Sequence, residues 1–145
     1  MIEQRASVHW DGAGRTGKGN VSTGSGALQD HPYGFTSRFE GDRQGTNPEE
    51  LLGAAHAACF TMAFAFACER AGVATQAIDT TATVRLAKQG EGFAIDRIAL
   101  TLDATVPGID DASFQQLAQG AKQNCPLSKA LASVPEVTLE ARLRV

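Results

Sequence analysis

The sequence predicts an α+β fold, with strands and helices in separate runs. Two stretches, 78 to 88 and 93 to 104, alternate apolar and polar residues around a Gln-Gly-Glu-Gly turn, the pattern of a β-hairpin. An Ala-rich apolar stretch from about Asn47 to Gly72 carries the start and stop signals of one long helix. VTLEARLRV closes the chain as another alternating strand, with Val137, Leu139, Ala141, Leu143 and Val145 on one face.

The chain has 145 residues, which fits a single domain over 1–145. It is 43% hydrophobic, enough to build a core. Net charge is −3 and the 13 basic residues are scattered, so no basic patch points to nucleic acid. The start, MIEQRASVHW, lacks the apolar run of a signal peptide. Three cysteines are too few for a secreted disulfide scaffold, and the cytoplasm is the expected compartment, where thiols stay reduced.

Near the N-terminus, Val8 and Trp10 alternate with Ser7, His9 and Asp11, as in a half-buried strand. DGAGRTGKGN, at 11 to 20, places Gly12, Gly17 and Lys18 at the spacing of a phosphate-binding loop. Gly19 stands where the metal-binding Ser or Thr belongs, and NVSTGSG after it is no helix, so a hairpin turn is the better reading.

The long helix has Asn47 at its N-cap, Pro48 at the first helical position and Glu50 at capping-box spacing. Arg70 and Gly72 mark its end. Residues 51 to 68, LLGAAHAACFTMAFAFAC, carry no formal charge and reach the lower length of a membrane span. Interspersed Ala, Gly53, His56 and Thr61 favour burial in protein instead of lipid. A helix of about 24 residues is ~36 Å long, more than so small a domain wraps alone, which predicts an obligate homodimer. In the hairpin, Ile95 and Ile98 have opposite parity, which allows a bulge between them. A further helix runs from about Asp111 with Phe114, Leu117, Ala118 and Ala121 on its apolar stripe. Asn124-Cys125-Pro126 interrupts it, and PLSKAL starts a short helix.

The three cysteines read differently. Cys59 and Cys68 are nine residues apart and face opposite sides of the helix, so they form no local pair and share no metal. Cys68 reads as a small buried hydrophobe. Cys125, just before Pro126, lies near unsatisfied N–H groups at a helix start, which favours the thiolate, although a poor N-cap is an equal reading. Cys59 lies about three turns into its helix, beyond the dipole's reach, and needs a cation from elsewhere. His56, three residues back on roughly the same face, either polarises Cys59 or is an ordinary buried histidine. A zinc site of His56, Cys59 and Cys125 has the residue types without the paired ligand spacing.

TNPEELLGAAHAACF, followed about 65 residues later by NCPLSKAL, resembles the OsmC/Ohr family of organic hydroperoxide reductases. HPYGFTSRFEG at 31 to 41, IDTTATV and TVPGID resemble its OsmC (osmotically inducible protein C) branch. The resemblance runs from about Ser7 to the C-terminus. It implies an intertwined homodimer in which bent antiparallel sheets pack around long central helices. It also implies a cofactor-free two-cysteine peroxidase without a bound metal. By that resemblance Cys59 is the peroxidatic nucleophile, Cys125 resolves it, and Glu49 holds an arginine against the thiolate. The arginine is Arg38 in the OsmC-like alignment of motifs, with Arg15 as the fallback. The implied partners are an organic hydroperoxide and a dithiol reductant of lipoyl type, with no nucleic acid and no membrane. A redox-sensing thiol switch and a small-molecule binding module are the rival readings. Phe35, Phe39, Phe60, Met62, Phe64 and Phe66 are candidate pocket walls, though plain core is the better reading of each.

Overall fold

The computed structural model describes residues 1 to 144, so Val145, the last position of the predicted strand face, lies outside the described residues. The chain forms two compact units, Met1–Leu51 and Leu52–Val145, and the boundary falls within the long helix.

The first unit is a three-stranded antiparallel sheet of β1 (Ala6–Asp11), β2 (Lys18–Thr23) and β3 (His31–Tyr33), in that order. The glycine-rich stretch closes the β1–β2 hairpin, with Asp11 opposite Lys18. Gly12 supplies a left-handed φ of 97° there, and the Gly17 N–H donates to the Ala13 carbonyl at 2.7 Å. Gly19 is required for a different reason: a Cβ at that position would collide with the rings of Tyr33 and Trp10. A one-turn helix α1 (Phe35–Phe39) follows. Ser37, buried within it, donates to the Thr46 carbonyl at 2.7 Å, and the Asn47 amide donates to the Ser37 carbonyl at 3.1 Å. These bonds fasten α1 to the start of the next helix.

That helix, α2 (Pro48–Arg70), has the bounds its signals predict. The Asn47 carboxamide oxygen accepts the Glu50 N–H at 2.7 Å, an N-cap bond. The reciprocal half of the capping box is replaced, because the Glu50 carboxylate accepts the Thr46 hydroxyl at 2.8 Å. At the C-terminus Gly72 has φ 80°, Val73 N–H bonds the Cys68 carbonyl and Gly72 N–H bonds the Glu69 carbonyl, a Schellman closure.

In the second unit β4 (Ala77–Gln89) and β5 (Gly92–Thr105) form the expected hairpin. Its register pairs Arg85 with Arg97 and Leu86 with Ile95, which leaves Asp96 as the extra residue of a bulge. The bulge lies between Ile95 and Ile98, as their parity allowed. Helices α3 (Asp111–Asn124) and α4 (Pro126–Ala130) lead to β6 (Glu136–Arg144). The expectation of antiparallel sheets fails at β6, which pairs with β5 in parallel. The two helices between them supply the long crossover that parallel pairing needs.

The core of this unit has three contributors. From α2 come Phe60, Phe64 and Cys68 at helical spacing, and from β5 Ile98, Leu100, Leu102 and Ala104 at alternating positions. Phe114, Ala118 and Ala121 of α3 complete it, with the Phe64 and Phe114 rings edge to face at 5.5 Å. Of the predicted stripe of α3, only Leu117 is partly exposed. The other side of α2 is open: Met62 is 60% and Phe66 50% exposed. By length and composition α2 is apolar enough to cross a membrane, and only 28% of its most apolar window is buried within the chain.

Candidate active site

Cys59 and Cys125, 66 residues apart in sequence, bring their sulfurs to 3.0 Å in the second unit. Both are free thiols. Helix α2 carries Cys59 about three turns from its start. The chain between α3 and α4 carries Cys125, whose extended conformation (φ −58°, ψ 130°) breaks the helix so that Pro126 can begin the next one. Closing a disulfide from this arrangement needs an approach of about 1 Å.

The two sulfurs differ in access and in charge. Cys59 is partly exposed and lines a cavity of about 480 Å³, whereas Cys125 is fully buried. The cavity is walled by Met62, Ala63, Phe66 and Leu117, with Arg70, Gln116 and Asn124 among its polar groups. Burial raises the Cys59 thiol, and its hydrogen bond to Cys125 raises it further. Cys125 is shifted the other way. Burial opposes its ionisation, but its hydrogen bond with Cys59 and the polar groups of Ser128 and Leu127 outweigh that and lower it. The two thiols titrate as a pair in which Cys125 gives up its proton the more readily.

The sequence pointed to a helix dipole at Cys125. Helix α4 is a single turn, too short for an appreciable dipole, and no formed cap bond reaches the sulfur. Besides the bond with Cys59, the N–H groups of Leu127 and Ser128 and the Ser128 hydroxyl are what lower the Cys125 thiol.

His56 does not bond Cys59. It is fully buried, and its Nε2 lies 2.9 Å from the Ser128 hydroxyl, while Nδ1 is buried without a hydrogen-bond partner. Burial lowers its pKa and keeps the ring neutral. It is thus neither a polariser of Cys59 nor a histidine with both ring nitrogens satisfied. Among the described residues no group of three or more His, Cys, Asp or Glu side chains converges as a metal site. Cys68 is fully buried in the core, as a small hydrophobe should be, and burial raises its thiol. Of the candidate walls, Met62 and Phe66 line the cavity, and Phe60 and Phe64 are core. Phe35 and Phe39 stack on each other in the first unit at 5.0 Å.

In the first unit, Arg38 of α1 grips Glu49 in α2's first turn with two hydrogen bonds, Nε to Oε1 at 2.9 Å and a terminal nitrogen to Oε2 at 3.3 Å. Glu49 is nearly buried and Arg38 about one-third exposed, so the guanidinium is held in one orientation. Arg15, the fallback, instead places its guanidinium 4.5 Å from the centre of the Phe35 ring.

Ser128 went unnoticed in the sequence. Its signal was available: a serine three residues after a Cys-Pro helix start occupies the position whose N–H faces the N-cap side chain.

Comparison with known proteins places these features in context. The family model described as OsmC-like protein matches residues 41–140. The chain is 50% identical over 143 residues to Peroxiredoxin OsmC of Escherichia coli, covering 99% of this chain and 98% of that one. It is 32% identical over 114 residues to the organic hydroperoxide resistance protein-like protein of Staphylococcus aureus, covering 78% and 79%. Among solved structures, an organic hydroperoxide resistance protein from Elizabethkingia anophelis superposes with a TM-score of 0.77 at 26% identity, covering 99% of this chain and 98% of that one.

Proposed function

Since the chain belongs to the OsmC-like protein family, we propose that its two-cysteine site runs the peroxidase cycle of that family, with Cys59 as nucleophile and Cys125 as resolving thiol. The protein is a thiol peroxidase for organic hydroperoxides. The observation that carries the residue assignment is positional: Cys59 faces a cavity, and its sulfur lies 3.0 Å from a fully buried Cys125.

The cycle balances as follows. The Cys59 thiolate attacks the outer peroxide oxygen; the O–O bond breaks and the alkoxide takes a proton and leaves as the alcohol. Cys59 is then a sulfenic acid. The Cys125 thiolate attacks its sulfur, the S–O bond breaks, and hydroxide leaves and takes up a proton to become water. One peroxide and two thiols become one alcohol, one water and one disulfide. The attacking Cys59 thiolate forms against burial and the hydrogen bond with Cys125, and a cation beside it favours that ionisation. The family resemblance gives this role to Arg38, whose guanidinium Glu49 orients. A two-electron dithiol of lipoyl type returns the disulfide to thiols.

The mostly apolar walls of the cavity suit the alkyl part of a hydroperoxide. The open apolar side of α2, with Met62 and Phe66, suits coverage by a second copy of the chain. We assign it to a homodimer of a soluble, cytoplasmic protein, not to lipid. Sedimentation at micromolar concentration should give twice the chain mass, and a monomer would overturn the assignment.

The test of the cycle is a count of free thiols under denaturing conditions, before and after one equivalent of tert-butyl hydroperoxide per chain. The expected result is a fall within seconds from the three thiols of Cys59, Cys68 and Cys125 to Cys68 alone. Three remaining thiols would refute an activated Cys59.

A further inference from the structure

His56 has no place in the cycle above, yet its position is costly to maintain. A fully buried histidine with an unpartnered ring nitrogen loses hydration at that nitrogen and gains nothing in return. Its side-chain hydrogen bond runs from α2 to Ser128 of α4, across 72 residues of sequence. Ser128 in turn is the third residue of the helix that Cys125 caps, and against the burial that raises the Cys125 thiol its N–H and hydroxyl are among the groups that pull it below the ordinary value.

The tautomer of His56 decides which way its bond with Ser128 runs. The ring is neutral, so it carries one N–H. A proton on Nδ1 would be a buried donor without an acceptor. A proton on Nε2 instead donates to the Ser128 oxygen at 2.9 Å and leaves Nδ1 only an unpaired acceptor, the tautomer with the smaller cost. With its lone pair so engaged, the Ser128 hydroxyl is turned to donate its own hydrogen elsewhere, and Cys125 lies three residues before it at the helix start. The opposite tautomer would consume the Ser128 hydrogen on the histidine and leave nothing for the sulfur.

Access decides when this matters. Cys125 is fully buried and Cys59 opens to the cavity, so a reductant reaches the Cys59 sulfur of the disulfide. Its thiolate attacks there, the S–S bond breaks, and the electron pair leaves on Cys125. The second thiol of the reductant, as its thiolate, then displaces Cys59 from the mixed disulfide. Two electrons pass to the protein, the reductant ends as a cyclic disulfide, and its protons go to the cysteine pair or to water. The leaving group of the first step is Cys125.

We propose that His56 is a positioning residue for re-reduction: through its Nε2–H it orients the Ser128 hydroxyl to stabilise Cys125 as the leaving thiolate. This rests on the two-cysteine reading above, in which Cys125 is the buried half of the redox disulfide.

The test uses the full-length protein and measures the two half-reactions separately. Oxidised protein is prepared with diamide, which accepts two electrons from the thiol pair, so the measurement proceeds whether or not a hydroperoxide is the substrate. Re-reduction by dihydrolipoate is followed by stopped-flow, and oxidation by tert-butyl hydroperoxide is followed in parallel. Ser128→Ala and His56→Leu should each lower the ratio of re-reduction rate to oxidation rate about tenfold, the size expected for losing one hydrogen bond to a developing anion. The double variant should fall no further than either single one. His56→Gln, which keeps a donor, should recover most of the ratio. Ser128→Ala removes one oxygen atom, so the test survives if His56→Leu does not fold. An unchanged ratio in Ser128→Ala, or losses that multiply in the double variant, would overturn the proposal. Failure of wild-type protein to form the disulfide with hydroperoxide, with the diamide arm behaving as expected, would instead count against the peroxidase assignment.

Discussion

Helix α2 carries two cysteines that burial treats alike and their neighbours treat differently. Burial raises the thiol of Cys59 and of Cys68. Cys68 lies among core side chains, fully enclosed, with nothing to exchange a proton or a bond with. Cys59, nine residues earlier, has a sulfur 3.0 Å away and an open cavity beside it. A thiol's residue type and burial therefore say little about its chemistry; a second sulfur and a path for substrate make the difference.

The sharpest way to break this contrast is to exchange the fates of the two thiols. Cys59→Ser should reduce hydroperoxide turnover by roughly three orders of magnitude or more, while Cys68→Ala should stay within about threefold of wild type in a coupled peroxidase assay. Comparable losses in both would end the distinction.

Next in size is the cation proposed for Cys59. Arg38→Leu should slow peroxide reduction about a hundredfold. Arg15→Leu should cost less than about threefold, since its guanidinium is engaged on the Phe35 ring. The reverse order in single-turnover kinetics would transfer the activating role to Arg15.

Cys125→Ser removes the neighbour and leaves Cys59 in its cavity. Under excess hydroperoxide, intact mass should show Cys59 gaining two oxygen atoms, the sulfinic acid, while Cys68 gains none. A mass without added oxygen would remove Cys125 from the resolving role.

The smallest effects belong to Cys68 itself. Cys68→Ala should cost about 1 to 2 kcal/mol in urea unfolding, from the small cavity it leaves. Its raised thiol also has a signature in pH. The unfolded chain loses this proton near the ordinary thiol value of 9.0, before the folded chain does, so the unfolded state binds fewer protons above that pH. Stability from the neutral thiol is full below the unfolded pKa and is lost as pH rises through the folded one. The melting temperature of wild type should therefore fall more steeply above pH 9 than that of Cys68→Ala. Parallel curves would mean that Cys68 is not protected.

The elements were legible because their signals are local. Asn47-Pro48 and Gly72 bracket α2 through bonds within a few residues of each end. The parity of Ile95 and Ile98 disclosed the bulge at Asp96, since side chains of a strand must alternate. Cys59, Cys125, Arg38 and Glu49 stood out through the motifs around them, and the Arg38–Glu49 pair forms across only 11 positions. Ser128 did not stand out, because its importance depends on a histidine 72 residues away. The parallel placement of β6 was equally hidden: an alternating pattern tells which face is apolar but not the direction of the neighbouring strand.

By itself, then, the sequence determined where helices and strands begin and end, which faces are apolar, and which residues have the chemistry to react. Caps, turns and periodicity act over a handful of residues, so the chain records them directly. Only the tertiary structure decided which cysteine is reachable and which is enclosed, that their sulfurs meet, and that His56 turns to Ser128 instead of to the cysteine beside it. Those outcomes depend on packing between segments 66 and 72 residues apart, where small shifts in how α2, α3 and α4 meet choose one neighbour over another.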